Sequence, residues 1–424
     1  MALDFPHLAQ AHLAAVDAPG FPLTPDFPQE EYLLRVARAR AELRKAGLDA
    51  LVITSSAVGH WFTNALEPHE WHDQCSARSA WYILTDRDDL LLMTATAGGE
   101  HFNTTRRSTW VSRIGAIVER AEAPRWETWD IGQIPPILAE LGLARGRLGF
   151  ELGDCMTLGL SVNDFLRLRG LMPHAQFEDA SPVIRRLMSL HTALEIEWLR
   201  TACMAGTEVH DMVPEVLRAG MTERSVLELL AGRVAGRFPA PDYTYQPAGG
   251  WDVRNLEAGD SNPFHSEVTS RMFKAGDLLS RSRSGIAYRR YGGDVDRMWS
   301  IGAPSQAVLE WYAITWECNR AMAAAIRPGV TCAEIYQRGQ AVERRHPIPA
   351  RPGGRTGHGY RNAGGLSVHP DNPTVLEPSM IISVEPMFAN EHGYFDLEDQ
   401  YLITENGAEA LHPLAPETLP VIDG

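Results

Sequence analysis

The stretches MIISVEPMFAN (380–390) and YFDLEDQYLIT (394–404) decide how this chain folds. Each has the length of a strand and is rich in β-branched and aromatic residues, so the pair reads as two strands. They carry two carboxylates, Glu385 and Glu398, inside otherwise apolar runs. Upstream, LLSRSRSGIAYRRYGGDVDRMWSIG (278–302) reads as two further strands joined by a turn, with Asp294 and Asp296 on it. Between the two pairs lies a loop rich in glycine and histidine, GGRTGHGYRNAGGLSVHPDN (353–372), which holds His358 and His369. Most of the residues able to do acid–base chemistry therefore lie in the C-terminal half.

Ahead of these strands, the segment from Ile184 to Gly220 reads as one long helix or two. Its end, LRAGMTERSVLELL (217–230), has the same cadence as IRPGVTCAEIYQRG (326–339). In both, a helix closes at a glycine and a threonine follows that can cap the next helix. Two matched joints 109 residues apart suggest an internal duplication with pseudo-twofold symmetry. The first half looks different. Residues 1–30 are proline-rich and without period, and suggest an arm. From Glu30 to Gly47 the pattern is that of an amphipathic helix ending at a glycine. Strand-like runs follow at LDALVITS (48–55), WYILT (81–85), DLLLMTA (89–95) and RLGFEL (147–152), with helical segments near 133–143 and 162–170. This alternation predicts an α/β layer domain over residues 1–183 and a second domain over 184–424.

Composition narrows the function. The chain has 424 residues, more than one core usually serves. A formal net charge of -15 repels phosphate backbones, so nucleic acid is not an expected partner. Five cysteines, widely spaced and without a CxxC pair, argue against a disulfide framework and a zinc–thiolate site. No leader pattern and no apolar run long enough to span a membrane are visible, and a cytoplasmic location is expected.

With those motifs in place, the chain resembles the "pita-bread" family of aminopeptidase P, prolidase and creatinase. SVEPM and DLEDQYLITENGAEAL are similar to that family's closing strands, GDVDRMWSIG to its G-D-x-T-R strand, and GHGYRNAGGLSVHP to its histidine–glycine loop. The resemblance implies an α/β N-terminal domain of the creatinase/prolidase type, followed by a duplicated α+β catalytic domain. It also implies two divalent metals held by two aspartates, one histidine and two glutamates. Asp294, Glu385 and Glu398 match three of those ligands. The first aspartate should lie ten to twelve residues before Asp294, where the chain reads Ser282, Arg283 and Ser284. The ligand histidine should lie seven residues before His369, and that position is Asn362. With two ligands missing and an arginine intruding, no metal pair and no cofactor are expected. One ion on Asp294, Asp296, Glu385 and Glu398 is the remaining metal alternative.

Within the family the non-peptidase branch is the nearest in kind. The resemblance to creatinase implies that Asp296 and Glu385 hold a cationic group, that Arg361 grips a carboxylate through its fork, and that Arg78 reaches the pocket of a second subunit in a homodimer. Creatinase's His-Asn-Pro appears here as Ser261-Asn262-Pro263, and His265 is a substitute only if a turn carries it inward. The stretch around 261–279 also resembles the dimethylsulfoniopropionate lyase branch. Asp294, Glu385, Glu398, His358 and His369 are the expected catalytic groups. Asn362 is expected to meet a substrate carbonyl or amide, and Trp71, Trp81 or Trp251 a cation. The competing possibility is that Arg281, Arg283, Arg289, Arg290 and Arg297 pair with the acids internally. Three functions follow: a metal-independent hydrolase or lyase of a small zwitterionic acid, a metallohydrolase with a reduced site, or a silent ligand- or peptide-binding protein.

Overall fold

The structure is a computed structural model that describes residues 26–65, 80–87, 90–95, 105, 107–117, 131–154, 156–245, 252–255, 260–262, 270–281, 284–346, 354–360 and 366–423. The chain divides into two compact units, Met1–Leu187 and Met188–Gly424. Among the described residues no helix is long and apolar enough to cross a membrane.

The first unit opens with helix α1 (Gln29–Ala46), where Tyr32, Val36, Ala39 and Leu43 recur at helical spacing and are buried. Gly47, at φ 66°, closes the helix in the left-handed conformation that glycine adopts at least cost. The chain then builds a six-stranded mixed sheet in the order β4-β3-β2-β1-β5-β6. Its strands are β1 (Ala50–Ile53), β2 (Trp81–Thr85), β3 (Leu91–Ala95), β4 (Ile114–Ile117), β5 (Arg147–Phe150) and β6 (Gln176–Asp179). β1 runs antiparallel to β2 and parallel to β5. Helices α2 (Ser56–Thr63), α3 (Ile134–Glu140) and α4 (Val162–Leu171) complete the α/β layers, and α5 (Ser181–Ser189) spans the division. Trp81, fully buried, sits in this unit's core with Phe150, Leu148, Ile83 and Met93.

The second unit contains the duplication. Helix α6 (Ala193–Asp211) is followed by α7 (Glu223–Arg237), and α8 (Gln306–Ala323) by α9 (Cys332–Glu343). Thr222 and Thr331 cap α7 and α9 through capping boxes closed by Ser225 and Glu334. Gly220 at φ 86° and Gly329 at φ 85° occupy equivalent places before them. Even the outside contacts correspond: Thr222 bridges to Met272, and Thr331 to Val375. The joint seen in the sequence is thus a repeated three-dimensional unit.

Each helix pair is followed by strands. The first set is a five-stranded sheet, β20-β13-β10-β8-β9, with β8 (Asp252–Asn255), β9 (Asp260–Asn262), β10 (Leu278–Arg281), β13 (Arg297–Ile301) and β20 (Val421–Ile422). Beside it are the short strands β7 (Tyr243–Tyr245), β11 (Ile286–Tyr288) and β12 (Tyr291–Gly292). The second set is a four-stranded sheet, β14-β15-β18-β19, with β14 (Gly357–Gly359), β15 (Ile381–Val384), β18 (Asp399–Thr404) and β19 (Gly407–Ala410). The ribbon β16 (Met387–Asn390) and β17 (Gly393–Asp396) lies between β15 and β18 in sequence. The sets meet at one paired position, Asp296 against Glu398.

Candidate active site

That junction gathers the acids. Asp294 and Asp296 lie just before β13, Glu385 just after β15, Asp396 at the end of β17, and Glu398 just before β18. His358 is the centre of β14, opposite Ser383 of β15. The strand pairing requires Gly357 beside it, because a Cβ there would lie 2.2 Å from the Ser383 carbonyl oxygen. Gly293 allows the equivalent approach on the other side, where a Cβ would lie 2.7 Å from Cys203 Cα on α6.

The functional side chains fall into two groups. Asp294, His358 and Glu398 offer donor atoms within 4.8 Å of one another, and so do Asp296, Glu385 and Asp396. In the first group His358 Nε2 lies 3.5 Å from Asp294 Oδ2 and 3.5 Å from Glu398 Oε1, with Glu385 Oε2 at 4.0 Å. The other ring nitrogen, Nδ1, is 2.9 Å from the Gly359 carbonyl, so a proton held there donates to that oxygen and leaves Nε2 facing the carboxylates. Asp294 is the most accessible member, at 15%, while Glu398 is 1% exposed. Burial, then the negative charges of Asp294, Glu385 and Asp296, hold the Glu398 carboxyl protonated well above the usual carboxylate range. In the second group burial and the charges of Asp296 and Glu385 do the same to Asp396.

The arginines expected to neutralise these acids mostly do other work. Arg297 Nη1 donates to the carbonyl oxygens of Asp296 (2.8 Å) and Glu398 (3.0 Å), while Nη2 pairs with Asp399 at 3.1 Å. Asp399 also pairs with Arg320. Arg297 therefore clamps the backbone that carries the acids, without meeting their carboxylates. Arg289 pairs with Asp242 at 3.0 Å and lies over Trp198. Arg281, fully buried in β10, does feel the Asp296 charge. Arg283 lies outside the described residues.

Several sequence expectations need correction. The histidine of the acid cluster is His358, although the spacing argument assigned that place to Asn362. His369 stands apart: its ring is 3.9 Å from the exposed Asp371 and packs near Tyr336, and it makes no ion pair with the cluster. Trp81 fills the N-terminal core and has no surface left to offer a cation. Asp396 was not foreseen, although its spacing of two from Glu398 in an extended segment was a usable signal. Nor was the pair Tyr291 and Tyr360, stacked at 6.0 Å, which ties the Asp294 loop to the strand of His358; the Tyr360 hydroxyl accepts from Gly292 N at 3.2 Å. Arg78, Arg361, Asn362, Trp71, Trp251 and His265 lie outside the described residues.

A two-strand junction lined by acids and one histidine, on duplicated helix–glycine–threonine joints, matches known proteins. Residues 197–405 match the family "Metallopeptidase family M24", and residues 35–187 match the "Creatinase/Prolidase N-terminal domain". The "Probable dipeptidase PepE" of Mycobacterium tuberculosis is 30% identical over 93% of this chain and 98% of its own length. The chain belongs to the M24 family. Another member, a "Creatinase" from Bacillus sp., is 24% identical over 94% of this chain and 95% of its own. An "Ectoine hydrolase" from Halomonas elongata is 23% identical over 91% and 96%. The solved structure of dipeptidase PepE from Mycobacterium ulcerans superposes with a TM-score of 0.73 at 22% identity, over 94% of this chain and all of that one. The resemblance to the pita-bread family, its two-domain α/β fold and its hydrolase class are thus established for this M24 protein.

The family's metal pair is a separate matter. Asp294, His358 and Glu398 form a mixed nitrogen–oxygen donor set that fits one divalent ion. The place of a further aspartate holds Ser282, Arg283 and Ser284. Ser284 is buried, its hydroxyl lying where a Cβ on Gly206 would approach to 2.8 Å. That donor set suits one ion, and the neighbouring Asp296, Glu385 and Asp396 also bring donor atoms within 4.8 Å of one another.

Proposed function

We propose that this M24 protein hydrolyses a C–N or C–S bond in a small molecule carrying both a cationic group and a carboxylate, using its own acids and His358 without a divalent metal. The observation that carries this reading is the pairing of two carboxylate groups around a single imidazole. One group contains a proton acceptor and a carboxyl that keeps its proton, and the other is a second buried triplet of acids.

In the proposed reaction His358 Nε2 takes a proton from water, and the hydroxide oxygen bonds to the electrophilic carbon. The bond to the leaving atom breaks, and Glu398 gives its proton to that atom. His358 then returns its proton to Glu398, 3.5 Å away, and both groups are restored. Asp294 stabilises the imidazolium formed between these steps. Asp296, Glu385 and Asp396 bind the cationic end, and Arg361, outside the described residues, is proposed for the carboxylate. Lyase chemistry on the same scaffold would need a base and no water, and nothing described favours it. A homodimer in which Arg78 reaches a second pocket remains a proposal from the creatinase resemblance, tested by mass in solution.

A second reading has its own support in the donor set of Asp294, His358 and Glu398. One divalent ion held there would polarise a substrate oxygen and acidify a water.

Turnover of a panel of guanidino, betaine and amino acids against uncharged amides and esters tests the leading reading. Cleavage confined to zwitterions supports it, whereas equal cleavage of uncharged amides overturns it.

A further inference from the structure

We propose that Gln400 is a positioning residue of the active site: its side-chain carbonyl holds the main chain of Asp294 and so sets where that carboxylate stands against His358. The inference rests on the reaction above only for the part given there to Asp294.

Strand register brings Gln400 to the site. On the four-stranded sheet His358 stands opposite Ser383, and Ser383 opposite Gln400. Side chains paired across strands share one face, so these three form a row. Glu398, two residues before Gln400, lies on the same side. Asp294 spans that row. At one end its Oδ2 lies 3.5 Å from His358 Nε2, and at the other its main-chain N–H donates to Gln400 Oε1, 3.3 Å away. Gln400 is fully buried and its own backbone is held. Its N–H donates to His412 Nε2 at 3.0 Å, and its carbonyl accepts from Leu411 N at 3.0 Å.

The amide can face only one way. A main-chain N–H only donates, so the group that faces Asp294 N must be the oxygen. Cys203 of α6 donates to the same oxygen at 3.0 Å. Burial, then the Asp294 charge, push the Cys203 thiol up to about 12, so its proton is there to donate. The Cys203 sulfur also faces the Asp294 N–H, but sulfur is a weak acceptor, and the Gln400 oxygen is the strong one. Nε2 is then left buried, and it meets no acceptor among the described residues. An unpaired buried donor is costly, and leucine or methionine would fill the space without that cost. The glutamine is explained by what its oxygen holds.

Asp294 needs such a tether because Gly292 and Gly293 precede it, and residues without a Cβ leave the adjoining peptide free to turn. On either side the chain has other anchors. Gly292 N donates to the Tyr360 hydroxyl at 3.2 Å, the Val295 carbonyl lies 2.7 Å from His210 Nε2, and Asp296 pairs with Glu398. Gln400 closes the gap between them.

Amide hydrogen exchange of the intact, ligand-free protein, read by mass spectrometry at residue resolution, tests the tether without a substrate. Gln400→Met should speed exchange of the Asp294 amide by about tenfold or more, while the amides of β15 and β18 keep their protection. Unchanged exchange at Asp294 overturns the proposal. Turnover of the zwitterion that the wild type cleaves fastest in the panel above tests the consequence. Gln400→Met should lower kcat by about tenfold or more with KM little changed. Combined with Asp294→Asn it should cost nothing further, because the tether acts through that side chain. Losses that multiply overturn the positioning role. If the wild type cleaves no zwitterion, the proposed reaction falls, and the exchange result alone upholds or overturns the tether. Gln400→Asn, whose carbonyl stops one methylene short of Asp294, takes the place of Gln400→Met if the latter loses its native circular dichroism.

Discussion

Arg297 offers the sharpest test of how the site is held together. It is 8% exposed and serves four acceptors: the carbonyls of Asp296, Glu398 and Pro413, and the Asp399 carboxylate, which is itself fully buried. Arg297→Met keeps much of the volume but removes every donor. Three carbonyls lose a partner and Asp399 is left with Arg320 as its remaining guanidinium. Breaking a buried ion pair from one side costs about 3–5 kcal/mol. For a unit the size of residues 188–424, where each kcal/mol moves the midpoint by about 2–4 °C, Tm should fall by roughly 6–20 °C. Arg297→Lys should recover part of this, since an ammonium keeps the charge but cannot span the two carbonyls. Differential scanning calorimetry at neutral pH is the assay. A fall of less than about 2 °C for Arg297→Met would show that the clamp does not hold the junction.

Three further outcomes are expected. His358→Gln should lower turnover by about 100-fold or more while His369→Gln stays near wild type, and equal losses would remove His358 from its role as base. Thr222→Ala and Thr331→Ala should each cost about 1 kcal/mol in denaturant unfolding, and a cost from only one would break the equivalence of the two joints. Glu398 and Asp396 are raised by burial and by neighbouring carboxylates, so the fold binds their protons more tightly than the unfolded chain does. The stability they lend is full below the ordinary carboxylate pKa, about 4, and is lost as pH rises through the raised values. The ligand-free Tm should therefore fall more steeply towards alkaline pH in wild type than in Glu398→Gln, and identical slopes would contradict the shift.

Much of this was legible because local chemistry and global fold agree. The glycine–threonine joints are visible in sequence since left-handed backbone and helix capping each demand particular residues, and both joints use them. Asp294, Asp296, Glu385 and Glu398 were found because the motifs around them resemble those of the pita-bread family. His358 was expected among the catalytic groups, but the ligand-histidine position was put at Asn362 because counting back from His369 presumes a fixed loop length, whereas the β14–β15 register brings His358 to the acids. Asp396 was missed for a similar reason, since its partner Asp296 is 100 residues away and is brought near only by the strand junction. Trp81 looked available because a tryptophan in a sequence does not reveal whether its face is covered, and here the N-terminal core covers it. The committed arginines, Arg289 and Arg297, could not be sorted from Arg281 without knowing which side of a strand each occupies.

The central claim is that an organic cation, and not a metal, answers the charge of the acid cluster. Elemental analysis of protein purified without chelator, paired with turnover of its best zwitterionic substrate before and after exhaustive chelation, tests it most directly. The account predicts far less than one divalent ion per chain and unchanged turnover. About one manganese, zinc or iron per chain, with activity lost on chelation and restored by that ion, would contradict it and establish the single-ion site of Asp294, His358 and Glu398.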